Sequence, residues 1–475
     1  MATTRVLADD VVKLYDATDS KKLVATCFWG DTLKEVRRSG GRPVFALPRA
    51  VWNESKNRYD NVTTEVQPKK DVDFQDEPAL KVRFVDVGQG DAAMIETPRG
   101  QRILIDGGEG PWFRRYLRVA YAHVLKSKSL HCDAIVVTHG DADHYDGLTE
   151  LVTWKRNADD PMITADRVFH NGLVKGSGSD AKTIFGKTRS QNGEVYATGL
   201  VGDIRQVPLS QLNRPFQAWQ SALKGLQSSN GPVKVKRLGY GDDAEFDFIT
   251  DPKLEMRVLG PVVDDLNGTP ALPLLHKPGS SSYSASHTIN GHSVVLKMTY
   301  GNVRFLFGAD LNEESEERLA THARTVGDSL AAEILKVPHH GSADFSPRML
   351  EAVRPVVSVI SSGDESVAKE YIHPRAGLVG AIGKYSRATV DKPLIYVTEM
   401  VAFFRRVRNA FETVGGQDKP IRNAYEKLQF GIVHVRTDGE RVLVATHSGK
   451  DDQKESYAFR VDEQGGITWE ETSIV

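Results

Sequence analysis

The run Thr138-His139-Gly140-Asp141-Ala142-Asp143-His144 puts two histidines and two aspartates within six residues. Imidazole nitrogens and carboxylate oxygens both bind borderline or hard divalent cations, so the run reads as a metal loop. The same residue types recur at Asp106 in Asp106-Gly107-Gly108, at Asp310 in Gly308-Ala309-Asp310, and at His339 and His340 in Pro338-His339-His340-Gly341-Ser342. Two cations about 4 Å apart could hold a hydroxide between them and stabilise charge developing on a substrate oxygen. The chemistry this points to is metal-dependent hydrolysis.

Every one of these candidates follows an apolar run that predicts a strand. Arg102-Ile103-Leu104-Ile105 precedes Asp106, and Asp133-Ala134-Ile135-Val136-Val137 precedes the metal run. Phe305-Leu306-Phe307 precedes Asp310, and Ile334-Leu335-Lys336-Val337 precedes His339. Strand ends that share one edge of a sheet can bring distant residues together on a rigid scaffold. Further strands are expected at Val82–Val87, Ala92–Thr97, Ser293–Tyr300 and Val356–Ser361. Helices are expected over Trp112–Lys128, from Gly147 to Trp154, over Asn312–His322 and from Phe403. Thr437-Asp438-Gly439 reads as a hairpin turn.

The 475 residues are 40% hydrophobic and 26% charged, with a formal net charge of -2. That is an ordinary globular composition, and it carries no global sign of affinity for nucleic acid or lipid. No run reaches the ~18 apolar residues needed to span a bilayer, and no apolar leader follows Met1. The two cysteines, Cys27 and Cys132, form no CxxC pair and read as reduced thiols. The expectation is a cytoplasmic protein with no membrane association. Three regions are expected. Residues 1–78 form a small β-rich module, perceived as barrel-like, with a polar linker from Asn53. Residues 79–385 form the catalytic domain, with a loop-rich insertion at about 155–255. Residues 386–475 form an α+β extension. The terminal modules are candidate surfaces for a protein partner or a homo-oligomer.

Taken together and in this order, the motifs resemble the metallo-β-lactamase superfamily, and within it the hydrolase domain of ComEC-type DNA-uptake proteins. Val85-Asp86-Val87-Gly88-Gln89-Gly90-Asp91-Ala92 resembles that group's opening strand and turn. Asp141 stands where the wider superfamily carries a second histidine, and the Pro-His-His-Gly-Ser block is intact. The resemblance spans roughly residues 80–385 and implies an α/β fold, a metallo-β-lactamase-like αββα sandwich with its metals at one edge.

By position, the resemblance implies that His139 and Asp141 hold a first metal, with a third ligand near residue 292. Asp143, His144 and His340 would hold a second, Asp310 would bridge the two, and Asp106 would orient ligands through hydrogen bonds. In His287-Thr288-Ile289-Asn290-Gly291-His292 the favoured third ligand is His292, with His287 an ordinary polar residue. His339 is read as supporting His340. His373, in His373-Pro374, is either structural or able to contact the scissile group and pass a proton to the leaving group. The expected cofactors are two divalent ions, Mn2+ or Zn2+, with Mg2+ also admissible. The implied activity is a phosphodiesterase or nuclease acting on DNA or RNA. A hydrolase of a small molecule or peptide, and a catalytically idle adaptor, remain open alternatives, because fold does not fix function. Gly88-Gln89-Gly90 reads as a tight turn. Lys234-Val235-Lys236-Arg237 and Arg405-Arg406-Val407-Arg408 read as solvated faces.

Overall fold

Strict alternation of apolar side chains shapes the two central sheets, because successive residues of a strand face opposite sides. In the computed structural model, Ile103 and Ile105 point into the space between two sheets, while Leu104 points outward beneath helices. Phe305 and Phe307 likewise face inward and Leu306 outward. The structure describes residues 2–363 apart from 179 and 278, residues 373–387, 390, 393–401 and 431–446, and residues 456–475; between 402 and 430 it describes only the backbone of the strands.

The first sheet contains β1 (Leu80–Val85), β2 (Ala93–Glu96), β3 (Arg102–Ile105), β4 (Ala134–Val136), β5 (Arg167–His170) and β6 (Lys234–Arg237). The second contains β7 (Leu254–Gly260), β8 (Val295–Tyr300), β9 (Val303–Phe307), β10 (Ile334–Lys336), β11 (Val357–Ile360) and β12 (Leu394–Val397). Four late strands, β13 (Ile432–Thr437), β14 (Arg441–Thr446), β15 (Ser456–Val461) and β16 (Ile467–Glu470), extend the first sheet. Its order is β6-β5-β4-β3-β2-β1-β13-β14-β15-β16, and that of the second is β7 through β12 in sequence.

The inner faces meet through Val82, Phe84, Ile95, Val136, Val258, Met298 and Val359, with the Phe84 and Phe307 rings 6.1 Å apart. Helices α1 (Trp112–Ala120), α2 (Ala142–Val152) and α3 (Arg214–Gly225) cover the first sheet through Phe113, Leu148 and Trp219. Helices α4 (Ala285–Gly291), α5 (Glu313–Val326), α6 (Pro347–Val353) and α7 (Ala376–Tyr385) follow, and α5 to α7 cover the second sheet through Leu319, Leu350 and Ile382. This is the αββα sandwich.

Several elements differ from the sequence reading. Residues 53–78 are no linker: Arg58–Pro68 is a long strand paired with Arg42–Asn53 in a seven-stranded N-terminal sheet. Its end strands, Asp19–Phe28 and Phe74–Gln75, do not pair with each other, so the sheet is open and not a closed barrel. The 155–255 stretch is only in part an insertion, since β5 and β6 complete the first sheet. The Lys234 cluster is that sheet's edge strand, whose charges suit an exposed edge, and Lys236 is ion-paired to Glu245. Phe403–Val407 is a strand paired with Ala424–Gln429, not a helix; the side chains of Arg405 and Arg406, and all of Arg408, lie outside the described residues. The last segment is no appendage, because β13 pairs with β1 from Ile432↔Val85 to Thr437↔Leu80. Cys27 and Cys132 are buried and form no disulfide. Among the described residues no helix is long and apolar enough to cross a membrane.

Candidate metal centre

Parallel pairing sets one rim for the whole site. Strands β3, β4 and β5 run parallel, as do β9, β10 and β11, so their C-terminal ends share an edge. The metal run leaves β4, and Asp141 is already the N-cap of α2 with extended backbone (φ -96, ψ 147). The helix therefore begins at Ala142, earlier than the sequence suggests, and its first turn carries Asp143 and His144. A carboxylate there is favoured by the helix dipole.

Four non-glycine residues at these strand ends have left-handed backbones: Asp106 (φ 56), Ala309 (φ 47), His339 (φ 48) and His340 (φ 54). Such conformations cost ~1–3 kcal/mol each and concentrate where a site must be held in one geometry. The turn before β2 packs on the same point. Gly90 has φ +105, and a Cβ there would lie 1.8 Å from the carbonyl oxygen of Asp143.

Three imidazoles converge on one carboxylate. Asp310 Oδ2 lies 3.0 Å from His340 Nε2, 3.2 Å from His144 Nε2 and 3.9 Å from His139 Nε2. Asp143 adds Oδ2 at 3.4 Å from His340 Nε2 and Oδ1 at 4.0 Å from His144 Nε2. His139, His144, His340 and Asp310 are buried, while the Asp143 side chain is 22% exposed and forms the open side.

The far nitrogen of each ring is anchored. His144 Nδ1 donates to Asp106 Oδ2 at 2.8 Å. The Thr138 hydroxyl donates to Asp106 Oδ2 at 2.6 Å, so its oxygen accepts from His139 Nδ1 at 3.0 Å. His340 Nδ1 donates to the Ser361 carbonyl at 3.1 Å. This network puts the proton of every ring on Nδ1. Each Nε2 is then the atom turned to the common point. The three Nε2 atoms and Asp310 Oδ1 are buried without a hydrogen bond. Orphaned buried polar atoms are costly, and this set is the one a divalent cation would satisfy. Three carboxylate–imidazole groupings within ligand distance include His144, and the fourth contains Asp310 and His340, so they form one connected centre.

The charges are interlocked. Burial pushes His139 down to about 4, helped by His144. Burial also disfavours charge on His144 and His340, but the surrounding carboxylates, Asp310 foremost, outweigh it and raise both well above the ordinary histidine value. Asp143 and Asp310 are correspondingly held below the usual carboxylate range, burial being outweighed by His144 and His340. At Asp106 burial wins and raises the carboxyl.

Not every expected ligand joins the centre. Asp141 turns away and is ion-paired to Lys175 Nζ. His292 caps the end of α4, and its Nε2 donates to the Pro273 carbonyl at 2.7 Å. Its neighbour Ser293, not the histidine, faces His139, with Oγ 3.3 Å from Nδ1. His287 lies 3.6 Å from Asp344. Asp106 stands behind His144 and acts on it by position. His373 is at the rim, its ring 6.3 Å from that of His339, and burial with nearby His340 and His339 pushes it down to about 4. Sequence reasoning passed over Asp91, whose carboxylate pairs with Lys336 and lies 3.3 Å from His340 Nδ1. It also passed over Gln89, which donates to Asp143 Oδ2 at 3.2 Å. The Gly88-Gln89-Gly90-Asp91 turn was the available signal, since it sits on the same rim.

A family model for the metallo-beta-lactamase superfamily matches residues 85–361, more than half of the chain. Among solved structures, the chain is similar to a CmlA beta-hydroxylase mutant at 12% identity and a TM-score of 0.32, covering 68% of this chain. The chain spans about half of that protein's length, 53%. It is also similar to a HARLDQ-motif mutant of a metallo-beta-lactamase from Cronobacter sakazakii (Enterobacter sakazakii), at 13% identity and a TM-score of 0.26, covering 64% of this chain and 90% of that one. No curated protein matches. With the family's strand-end motifs folded onto one rim as a buried cluster able to hold metal, the chain belongs to the metallo-beta-lactamase superfamily.

Proposed function

We propose that this chain is a metal-dependent phosphodiesterase that cuts nucleic acid. The observation that carries this reading is the convergence of three Nε2 atoms on Asp310 beside the partly open Asp143. His139, Asp143, His144, Asp310 and His340 would hold the metal, and Asp106, Thr138, Asp91 and Ser361 would orient them. The oxygen-rich half of this set suits Mn2+ or Mg2+, and the imidazoles suit Zn2+. The resemblance of the opening turn and the Pro-His-His-Gly-Ser block to ComEC-type hydrolases supports a phosphodiester substrate.

A bound divalent ion polarises phosphoryl oxygens and makes bound water a nucleophile near neutral pH. The chain's own groups do the positioning. Asp143, with Gln89 beside it, forms the accessible wall where a substrate enters. His373, neutral at pH 7 in its surroundings, suits accepting a hydrogen bond or a proton better than donating one.

The deep burial of the three imidazoles favours one second reading, hydrolysis of a compact ester, lactone or amide. Cleavage assays on labelled single- and double-stranded DNA and RNA, run beside a panel of small esters, lactones and cyclic nucleotides, separate the two. Polymer cleavage reduced at least ~100-fold in Asp143→Ala/His144→Ala supports the nuclease. Turnover of a small substrate with no polymer cleavage selects the second reading.

A further inference from the structure

The rim carries a cation of its own. Lys175 follows β5, whose C-terminal end lies on the same edge as the metal run. Its ammonium is ion-paired to Asp141 Oδ1, with the two side chains only 25% and 20% exposed. The other oxygen of Asp141 is taken as well. In the orientation that satisfies its neighbours, the Asn290 amide donates to Asp141 Oδ2 at 2.9 Å and to the Ser286 carbonyl at 3.0 Å, and accepts from His339 Nε2 at 3.3 Å. Both oxygens of this aspartate are therefore committed to protein partners. The remaining expected ligand on that side, His292, is bonded to the Pro273 carbonyl, and the hydroxyl of Ser293 lies behind the His139 ring, 3.3 Å from its Nδ1. Asp141 belongs to none of the ligand groupings, which all draw on the one set around His144, Asp310 and His340.

We propose that this centre takes a single divalent ion, held by the set His139, Asp143, His144, Asp310 and His340, and that the Lys175 ammonium supplies the second positive charge where a two-metal centre would carry its other ion. A lysine ammonium is a compact point charge that pairs with carboxylates and phosphates without needing a ligand shell. An anionic substrate would then meet one ion and one fixed ammonium at the rim. This deepens the proposed hydrolase reading but is tested without substrate.

The test counts metal. The chain is stripped with a chelator, loaded with Mn2+ or Zn2+, freed of excess by gel filtration, and measured by elemental analysis and native mass spectrometry. The wild type is expected to hold one ion per chain. Lys175→Met, which frees Asp141 and removes the competing charge, is expected to hold two at saturation. Lys175→Arg, which keeps a cation, should return to one. Two ions per wild-type chain would overturn the proposal, and so would a count of one in Lys175→Met. If Lys175→Met fails to fold, as judged by circular dichroism, the wild-type and Lys175→Arg counts still decide. Loss of nucleic-acid cleavage alone bears on the substrate and leaves these counts unchanged.

Discussion

Asp310 is the carboxylate on which His139, His144 and His340 converge, so its loss should be felt by the metal before anything else. Asp310→Asn is expected to lower metal affinity by at least 10²-fold, measured by competition with a chromophoric chelator, with little change in melting temperature of the metal-free chain. Asp106→Asn removes only the acceptor behind His144 Nδ1, and a change of that kind typically costs about 10–100-fold in affinity. Protons are also linked to binding. The carboxylates keep His144 and His340 protonated above the ordinary histidine value in the metal-free chain. An ion must displace those protons, so affinity should rise steadily between pH 5 and 8. A flat or falling profile would contradict the assignment. The metal run was readable in the sequence because its ligand types are consecutive. Lys175 and Asn290 were not, because each is a single polar residue, one in a loop and one in α4, whose partner, Asp141, is distant in sequence.

Strands carry the candidate ligands, and the apolar ones were readable before the structure: β3, β4, β9 and β10 each end where the motif spacing places them. Edge and polar strands were not readable. β6 reads Lys-Val-Lys-Arg, and Arg58–Pro68 is mostly polar, because a strand with one solvated face or edge need not be apolar. Helix α2 starts at Ala142, directly after the extended Asp141, which leaves Asp143 and His144 in the first turn. The Gly88–Asp91 turn presses on that turn, so Gly90 is the residue on which the fit depends. Gly90→Ala would place a Cβ 1.8 Å from the Asp143 carbonyl in a left-handed backbone. Alanine at such a position costs more than about 1 kcal/mol. The expected result is a lower melting temperature together with weaker metal binding. A variant of full stability and full affinity would show that the turn does not brace the site.

The N-terminal sheet and the last strands pack around the αββα sandwich. Val11 and Lys13 exchange backbone hydrogen bonds with Ser473 and Val475, and Phe28 packs 4.5 Å from His434. At this junction Asp31 faces Lys81 at 3.1 Å and Arg436 at 3.4 Å, with Arg436 almost fully buried. Burial opposes ionisation of Asp31, but Lys81, Arg436 and Arg83 outweigh it and hold the carboxyl well below its ordinary value. A carboxyl depressed on folding stabilises the folded state above its unfolded pKa, near 3.9, and that contribution is lost as pH falls below it. Asp31→Ala leaves buried cations unpaired and should cost about 3–5 kcal/mol in denaturant unfolding at pH 7. The difference from wild type should shrink below about pH 4. These long-range pairings join residues some 400 apart in sequence, beyond any local pattern, which is why both ends read as separate modules. For the function of the whole chain, the first measurement is cleavage of labelled single-stranded DNA and RNA by protein stripped of metal and then given Mn2+, Mg2+ or Zn2+, with Asp310→Asn in parallel. Cleavage that returns only with added ion, and only in the wild type, is the result expected of a metal-dependent nuclease. Cleavage that persists without metal or in Asp310→Asn, or a metal-loaded chain that cuts neither polymer, would contradict it.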